Sequence, residues 1–178
     1  MKNILTLGFL IICTLHYSQV AIGKASVSNT TSISLEFGNT AAKGLLLPWV
    51  TNETAVTGAV PGTMIYDLSD KKVKYYKYDE SKSSNVWFDL SVDGSGAADD
   101  SAQRLLTENT TARTRIGTLK SRNVPGILVL EDVNKAMVLP LVDKYSSIIN
   151  PSPGMMVFDT TNNMLCFFNG TNWSFWKE

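Results

Sequence analysis

Histidine and cysteine are nearly missing from this 178-residue sequence, which has one His and two Cys. His16 and Cys13 both lie in the first nineteen residues, and that stretch reads as a secretory signal. Lys2 supplies the positive start. Ile4 to Leu15 is an apolar run broken only by Thr6, Gly8 and Thr14, and His16-Tyr17-Ser18-Gln19 closes it. This is the charged, apolar, polar order of an export signal. The run is about 12 residues, short of the ~20 that a membrane-spanning helix needs. Removal of residues 1–19 is therefore expected, leaving no histidine and one cysteine, Cys166, without a partner for an internal disulfide.

These absences exclude chemistry. Without histidine there is no Cys-His or Ser-His pair for nucleophilic catalysis, and no His or Cys cluster at zinc spacing. Neither a Gly-rich phosphate loop nor a dinucleotide fingerprint occurs. Carboxylate-only hydrolysis, as in glycosidases, is the one catalytic class left open, and two small units leave little room for a deep substrate cleft. Charge is equally sparse. The chain has 16 basic and 16 acidic residues, and loss of Lys2 leaves the remainder one unit acidic. No block of like charge suggests nucleic-acid binding, which needs a basic surface. No later stretch is apolar enough to span a membrane. No catalytic, cofactor-binding or metal-binding residue is assigned, and an enzyme is not expected.

What the sequence does contain is a duplication. "PGTMIYD" at 61–67 returns as "PGMMVFD" at 153–159. Lys43 matches Lys135, Leu45-Leu46-Leu47-Pro48 matches Met137-Val138-Leu139-Pro140, and Tyr75-Tyr76 matches Phe167-Phe168, all 92 positions apart. Leu35 and Phe37 align with Ile127 and Val129 at the same offset, Ile22-Gly23 with Ile116-Gly117 at 94, and Trp87 with Trp173 at 86.

Each copy predicts β structure. Met155–Phe158, Met164–Phe168 and Trp173–Trp176 are short apolar runs separated by turn formers, among them Asn169-Gly170. The first copy repeats them at Thr63–Tyr66, Val73–Tyr78 and Val86–Leu90. Before each meander an apolar run ends in proline, which cannot donate to a ladder and is expected to end a strand or lie on an edge. Earlier still, Ile33, Leu35 and Phe37 alternate with Ser34 and Glu36 like a half-buried strand. The fold class expected is mainly β: two tandem small antiparallel β-meander repeats, at 20–93 and 114–178. A flexible linker at 94–113, with a marginal short helix over Asp99–Leu106, joins them. A unit of this size is near the lower limit for a self-sufficient core. Met155-Met156-Val157-Phe158 is apolar on both strand faces, which calls for cover on both sides, from the other repeat or from another chain. A homo-oligomer is expected.

Taken together, "HYSQVAIGKASVSNTTSISLEFGNTAAKGLLLPWVT" resembles the opening of many exported proteins of Bacteroidota, especially flavobacteria. In these a "VGIGT" phrase and "KGLLLPRVT" precede modules of the form "PxxGxLVYDT…LYFYNGxxW", and similar phrases occur in fibre proteins of phages that infect such bacteria. The resemblance covers the whole chain after the signal, once per repeat. It implies export, β-rich repeats and an adhesive or fibre-like role, and carries no catalytic residues. The arginine usual after "LLLP" is Trp49 here and Leu141 in the second copy.

Individual residues follow from this frame. Asp67 and Asp159 read as turn-starting carboxylates that accept backbone N–H bonds. Cys166 reads as a buried inert thiol. Trp49, Trp173, Phe175 and Trp176 are the candidate ligand or interface contacts, and because successive strand residues alternate faces, one of Phe167 and Phe168 is expected to point outward. Ser101, in Asp100-Ser101-Ala102, matches the short O-glycosylation motif of Bacteroidota. The leading expectation is an exported, non-enzymatic structural or adhesive module, fibre-like and self-associating, secreted, at the cell surface or in the periplasm, with a glycan or cell-surface partner. The alternatives are a carbohydrate-binding module using the C-terminal aromatics, and a small carboxylate-based hydrolase.

Overall fold

A computed structural model describes residues 19–39, 42–109, 111–117, 124 and 126–177. The expected signal, apart from Gln19, lies outside the described residues. The chain is mainly β. Repeat 1 contains β1 (Val20–Ile22), β2 (Ile33–Phe37), β3 (Leu45–Leu46), β4 (Trp49–Val50), β5 (Met64–Asp67), β6 (Lys72–Asp79) and β7 (Ser84–Asp89). Repeat 2 contains β8 (Thr114–Ile116), β9 (Leu128–Leu130), β10 (Ala136–Val138), β11 (Leu141–Val142), β12 (Met155–Asp159), β13 (Met164–Phe168) and β14 (Trp173–Trp176). Single 3-10 turns follow β4 at Glu53–Ala55 and β11 at Tyr145–Ser147, and a third, Gln103–Leu105, occupies the expected linker helix.

The meanders form as the alternating runs predict. β5-β6-β7 and β12-β13-β14 are antiparallel. Each gains a strand that the sequence reading lacked. The chain resumes extended structure after each proline, so β4 pairs in parallel with β5 and β11 with β12. The prolines do end β3 and β10, yet they stay in the ladder as acceptors: Tyr66 N–H donates to Pro48 O at 2.9 Å and Phe158 N–H to Pro140 O at 3.0 Å. A residue without an N–H keeps its carbonyl, which is why the run could cross it.

Upstream, the aligned register shifts by one. β1 pairs β2 with Ile22 opposite Phe37, and β8 pairs β9 with Ile116 opposite Leu130. Leu35 and Phe37 are therefore equivalent to Leu128 and Leu130, not to Ile127 and Val129. The offset falls from 94 at Ile22/Ile116 to 93 at Leu35/Leu128 and 92 at Leu45/Met137, as each connection in repeat 2 loses one residue. A one-residue slip moves every side chain to the opposite face, and short apolar runs fix faces too weakly to reveal it.

The repeats exchange strands. β10 of repeat 2 joins β2 of repeat 1 in parallel, with Met137 opposite Leu35 and Val138 opposite Glu36. β3 of repeat 1 joins β12 of repeat 2 antiparallel, with Leu45 opposite Met156 and Leu46 opposite Met155. β2 thus lies between β1 and β10. The half-buried pattern expected of it gives way to burial on both faces, with Ser34 at 0% and Glu36 at 7% exposure. A buried carboxylate needs partners. Glu36 accepts from Lys24 Nζ at 2.6 Å and from Ser28 N–H at 2.5 Å, and the lysine hydrogen bond leads in holding its carboxyl below the usual range.

The main core is shared. Leu47, Tyr66, Val73 and Leu90 of repeat 1 cluster with Met156 and Phe167 of repeat 2. A second cluster, Val142, Ile148, Val157 and Cys166, belongs to repeat 2. Each fully buried large side chain is worth roughly 1.5–3 kcal/mol, so neither repeat keeps its complement of core without the other. This supplies the cover that β12 requires. It also buries both aromatics of β13, Phe167 at 0% and Phe168 at 9% exposure, so neither points outward as expected: repeat 1 covers one face and repeat 2's own cluster the other.

Candidate self-association interface

The junction between the repeats is built from the two phrases that the chain repeats. Trp49, on β4, donates from Nε1 to Pro153 O at 2.7 Å, and its ring lies 5.8 Å from that of Tyr66. Tyr66, on β5 and fully buried, donates its hydroxyl to Asn169 O at 2.7 Å. Burial, then Asp70 and Asp67, push the Tyr66 phenol up to about 12, so it remains a donor. Gly154 has φ +83°, and a Cβ there would lie 2.9 Å from Tyr66 Cβ. The Pro-Gly turn of repeat 2 is therefore the floor on which the β4–β5 aromatics of repeat 1 rest.

Further along, Trp176 Nε1 donates to Leu90 O at 2.8 Å, and its ring sits 5.8 Å from Phe88. The segment after β7 docks on the β13–β14 turn. Val92 N–H donates to Ser174 Oγ, and Asn169 Nδ2 to Asp93 O, both at 2.9 Å. Gly96 and Gly170 are needed here. A Cβ on Gly96 would meet Asn169 O at 2.4 Å, and one on Gly170 would overlap Ala97 O.

This contact is head-to-tail. One face of repeat 1 meets a different face of repeat 2, so each repeat leaves one face uncovered by the other. Leu141, equivalent to Trp49, is 37% exposed. Gly62, equivalent to Gly154, has φ +95° and no atom within 4 Å of a Cβ built on it. Among the described residues β9 pairs β8 alone, whereas its counterpart β2 has strands on both sides. Leu46 at 48%, Ile127 at 62% and Leu128 at 39% exposure lie along these uncovered edges.

Of the residues singled out by sequence, Trp49 is a half-buried junction residue. Trp173 is half-buried in a ring cluster with Tyr145 at 5.6 Å and Phe168 at 5.1 Å. Phe175, 42% exposed, lies 4.8 Å from Tyr145. Trp176 is 38% exposed and tethered to Leu90. The structure thus gathers Trp173 and Phe175 around Tyr145 and places Trp49 and Trp176 at separate points of the junction. Ser101 is exposed, with its N–H on Asp99 Oδ1 at 3.0 Å.

Asp67 and Asp159 are fully buried, and each binds the chain around it as the turn reading expects. Asp67 accepts from Ser69 N–H and Glu53 N–H, both at 2.8 Å. Asp159 accepts from Asn162 N–H at 2.8 Å and Tyr145 N–H at 3.1 Å. Burial opposes both charges, and these hydrogen bonds, from Ser69 and from Asn162 foremost, outweigh it and hold both carboxyls below the usual range. The repeats differ in the last partner. Lys74 Nζ reaches Asp67 at 3.3 Å, Glu53 at 2.6 Å and Asp70 at 2.5 Å. Burial works against its charge, but the Asp70 and Glu53 bonds raise its pKa well above the ordinary value. In repeat 2 Lys74, Asp70 and Glu53 give way to Cys166, Asn162 and Tyr145, and Asn162 Nδ2 donates to Asp159 at 3.0 Å instead. Cys166 is buried, its thiol pushed up to about 11 by burial and then by Asp159. The Lys74 cage escaped the sequence reading. Its signal was available: a lysine at an inward strand position whose counterpart in the duplication is a cysteine.

Residues 115–177 match the family model of the phage tail like trimerisation region. The match takes in repeat 2 almost whole, from β8 to β14, and fits the phage-fibre part of the resemblance. No curated protein and no solved structure matches the chain. Among the described residues, no helix is long and apolar enough to cross a membrane.

Proposed function

We propose that the chain is a structural, fibre-like module that works by self-association, each repeat contributing one assembly unit. The observation that carries this reading is the match of repeat 2 to a trimerisation region of phage tail type. The head-to-tail junction and its uncovered edges support it, since a contact that joins unlike faces always leaves a face at each end. The homo-oligomer and the structural role are the core of the proposal. Export to the cell surface or periplasm, an adhesive role and a cell-surface partner extend it on the resemblance described above. Light scattering across micromolar concentrations tests it: a mass above that of one chain is expected, and a clean monomer throughout contradicts it.

A second reading draws on the ring cluster at the C-terminal end. Phe175, 42% exposed and backed by Tyr145, offers an apolar face of the kind on which sugar rings stack. Glycan binding lost on Phe175→Ala with the fold intact would favour it.

A further inference from the structure

The intrachain junction shows what each uncovered face lacks. In repeat 1, the open edge of β2 is filled by β10. The edge of β12 beside Met155 and Met156 is filled by β3, and the space over Gly154 by Tyr66. The counterparts at the free ends are the open edge of β9, the edge of β5 beside Thr63 and Met64, and the space over Gly62.

The exchanging strand can serve both neighbours at once. Backbone groups of successive strand residues point to opposite edges. Ala136 N–H donates to Ser32 O, so Ala136 and Val138 face β2. Leu47 N–H donates to Gly154 O, so Leu45 and Leu47 face β12. Leu45 is equivalent to Met137. The two repeats therefore use opposite edges of the same strand: β3 leaves the groups of Gly44 and Leu46 unused by β12, and β10 leaves those of Met137 and Leu139 unused by β2.

We propose that a second copy of this chain docks head-to-tail and reproduces the intrachain junction. β3 of one copy pairs in parallel with β9 of the other, Leu45 opposite Leu128 and Leu46 opposite Val129. β10 pairs antiparallel with the partner's β5, Met137 opposite Met64 and Val138 opposite Thr63. Leu141 and Phe158 cover Gly62. Unpaired strand edges are templates for such addition, and the apolar residues along these edges match those buried at the junction. The inference rests on self-association and specifies its geometry.

Mixed cysteine cross-linking tests it. Leu46→Cys and Val129→Cys are made separately in the full chain, and the wild type, with Cys166 buried, serves as control. On mild oxidation, covalent dimer is expected from the mixture and not from either variant alone or the wild type. Leu46→Pro provides a second arm. It removes the free-edge N–H of β3 and leaves the Leu45 and Leu47 groups that face β12. A shift of the light-scattering mass to that of one chain, with circular dichroism unchanged, is the expected result. Should the chain self-associate while the mixture gives no more dimer than the single variants, this geometry is overturned and self-association stands. A wild type that is monomeric throughout would overturn both.

Discussion

The duplication offers a prediction in which one repeat supplies the repair for the other. Lys74→Cys gives repeat 1 the residue of repeat 2 but strips the buried Asp67 of its cation. Breaking a buried pair by removing one partner costs ~3–5 kcal/mol. Asp70→Asn removes a carboxylate that is 37% exposed, so its pairing with Lys74 is screened and its loss costs about 1 kcal/mol. The double variant gives repeat 1 the Cys and Asn of repeat 2, in which an Asn amide donates to the buried carboxylate at 3.0 Å, and differs from it in keeping Glu53, 38% exposed, where repeat 2 has Tyr145. It is expected to cost ~1–2 kcal/mol, a favourable coupling of ~2–5 kcal/mol between contacting sites. Urea denaturation reads this directly. With a slope of roughly 2 kcal/mol/M, Lys74→Cys shifts the midpoint down by ~2 M and the double variant by less than 1 M. If the double variant lost as much as the two single changes combined, Asn162 would not be the group that replaces the lysine, and the account of the two carboxylate sites would fail.

Gly154→Ala and Gly62→Ala share the strain of a positive φ, roughly 1 kcal/mol each, but only at 154 does the new methyl meet Tyr66, at 2.9 Å; under dilute conditions thermal melting is expected to fall further for Gly154→Ala, and equal shifts would contradict the packing at that turn. Stability should be flat from about pH 5 to pH 8, above which the raised Cys166 thiol, up to about 11, is the first group to lose its share. Asp67 and Asp159 have folded pKa values below the ordinary one, so the stability they give is present above about pH 4 and is lost as pH falls through the folded values. Tyr66, up to about 12, and Lys74, also raised, favour the protonated forms, so their share is present below about pH 10 and is lost as pH rises; denaturant midpoints across the range check both limbs. Because the core of Tyr66, Val73, Met156 and Phe167 is shared, Tyr66→Phe, which leaves Asn169 O without its donor, should lower one common unfolding transition by ~1–2 kcal/mol, and calorimetry resolving two transitions would refute a single core.

The sequence made the meanders legible because turns and apolar runs are local signals. Pro-Gly, Asn-Gly and the aspartates punctuate strands whatever lies around them, and the aspartates kept their turn role in both copies. Pairing between distant segments was not legible. β4 and β11 are two residues long, too short for a period, and the partner of β3 lies 109 or more residues away, at Met155 and Met156. The duplication was visible, but an alignment cannot say whether two copies sit apart or exchange strands. Trp49 was marked by its place after "LLLP" and Trp176 by its place in the last apolar run. Their indole N–H groups turned out to serve Pro153 and Leu90, a tertiary fact that aromatic content does not encode. Repetition did carry one further clue: Gly62 and Gly154 both recur, yet only the second is covered within the chain.

Hydrogen exchange at single strand residues tests the head-to-tail assembly most directly. Leu45 N–H faces β12 within the chain and should be protected at every concentration. The N–H of Leu46, on the free edge of β3, and that of Leu130, on the free edge of β9, should exchange fast in dilute solution and become protected as concentration rises. Protection of Leu46 and Leu130 that stays low while the chain demonstrably assembles would contradict the account.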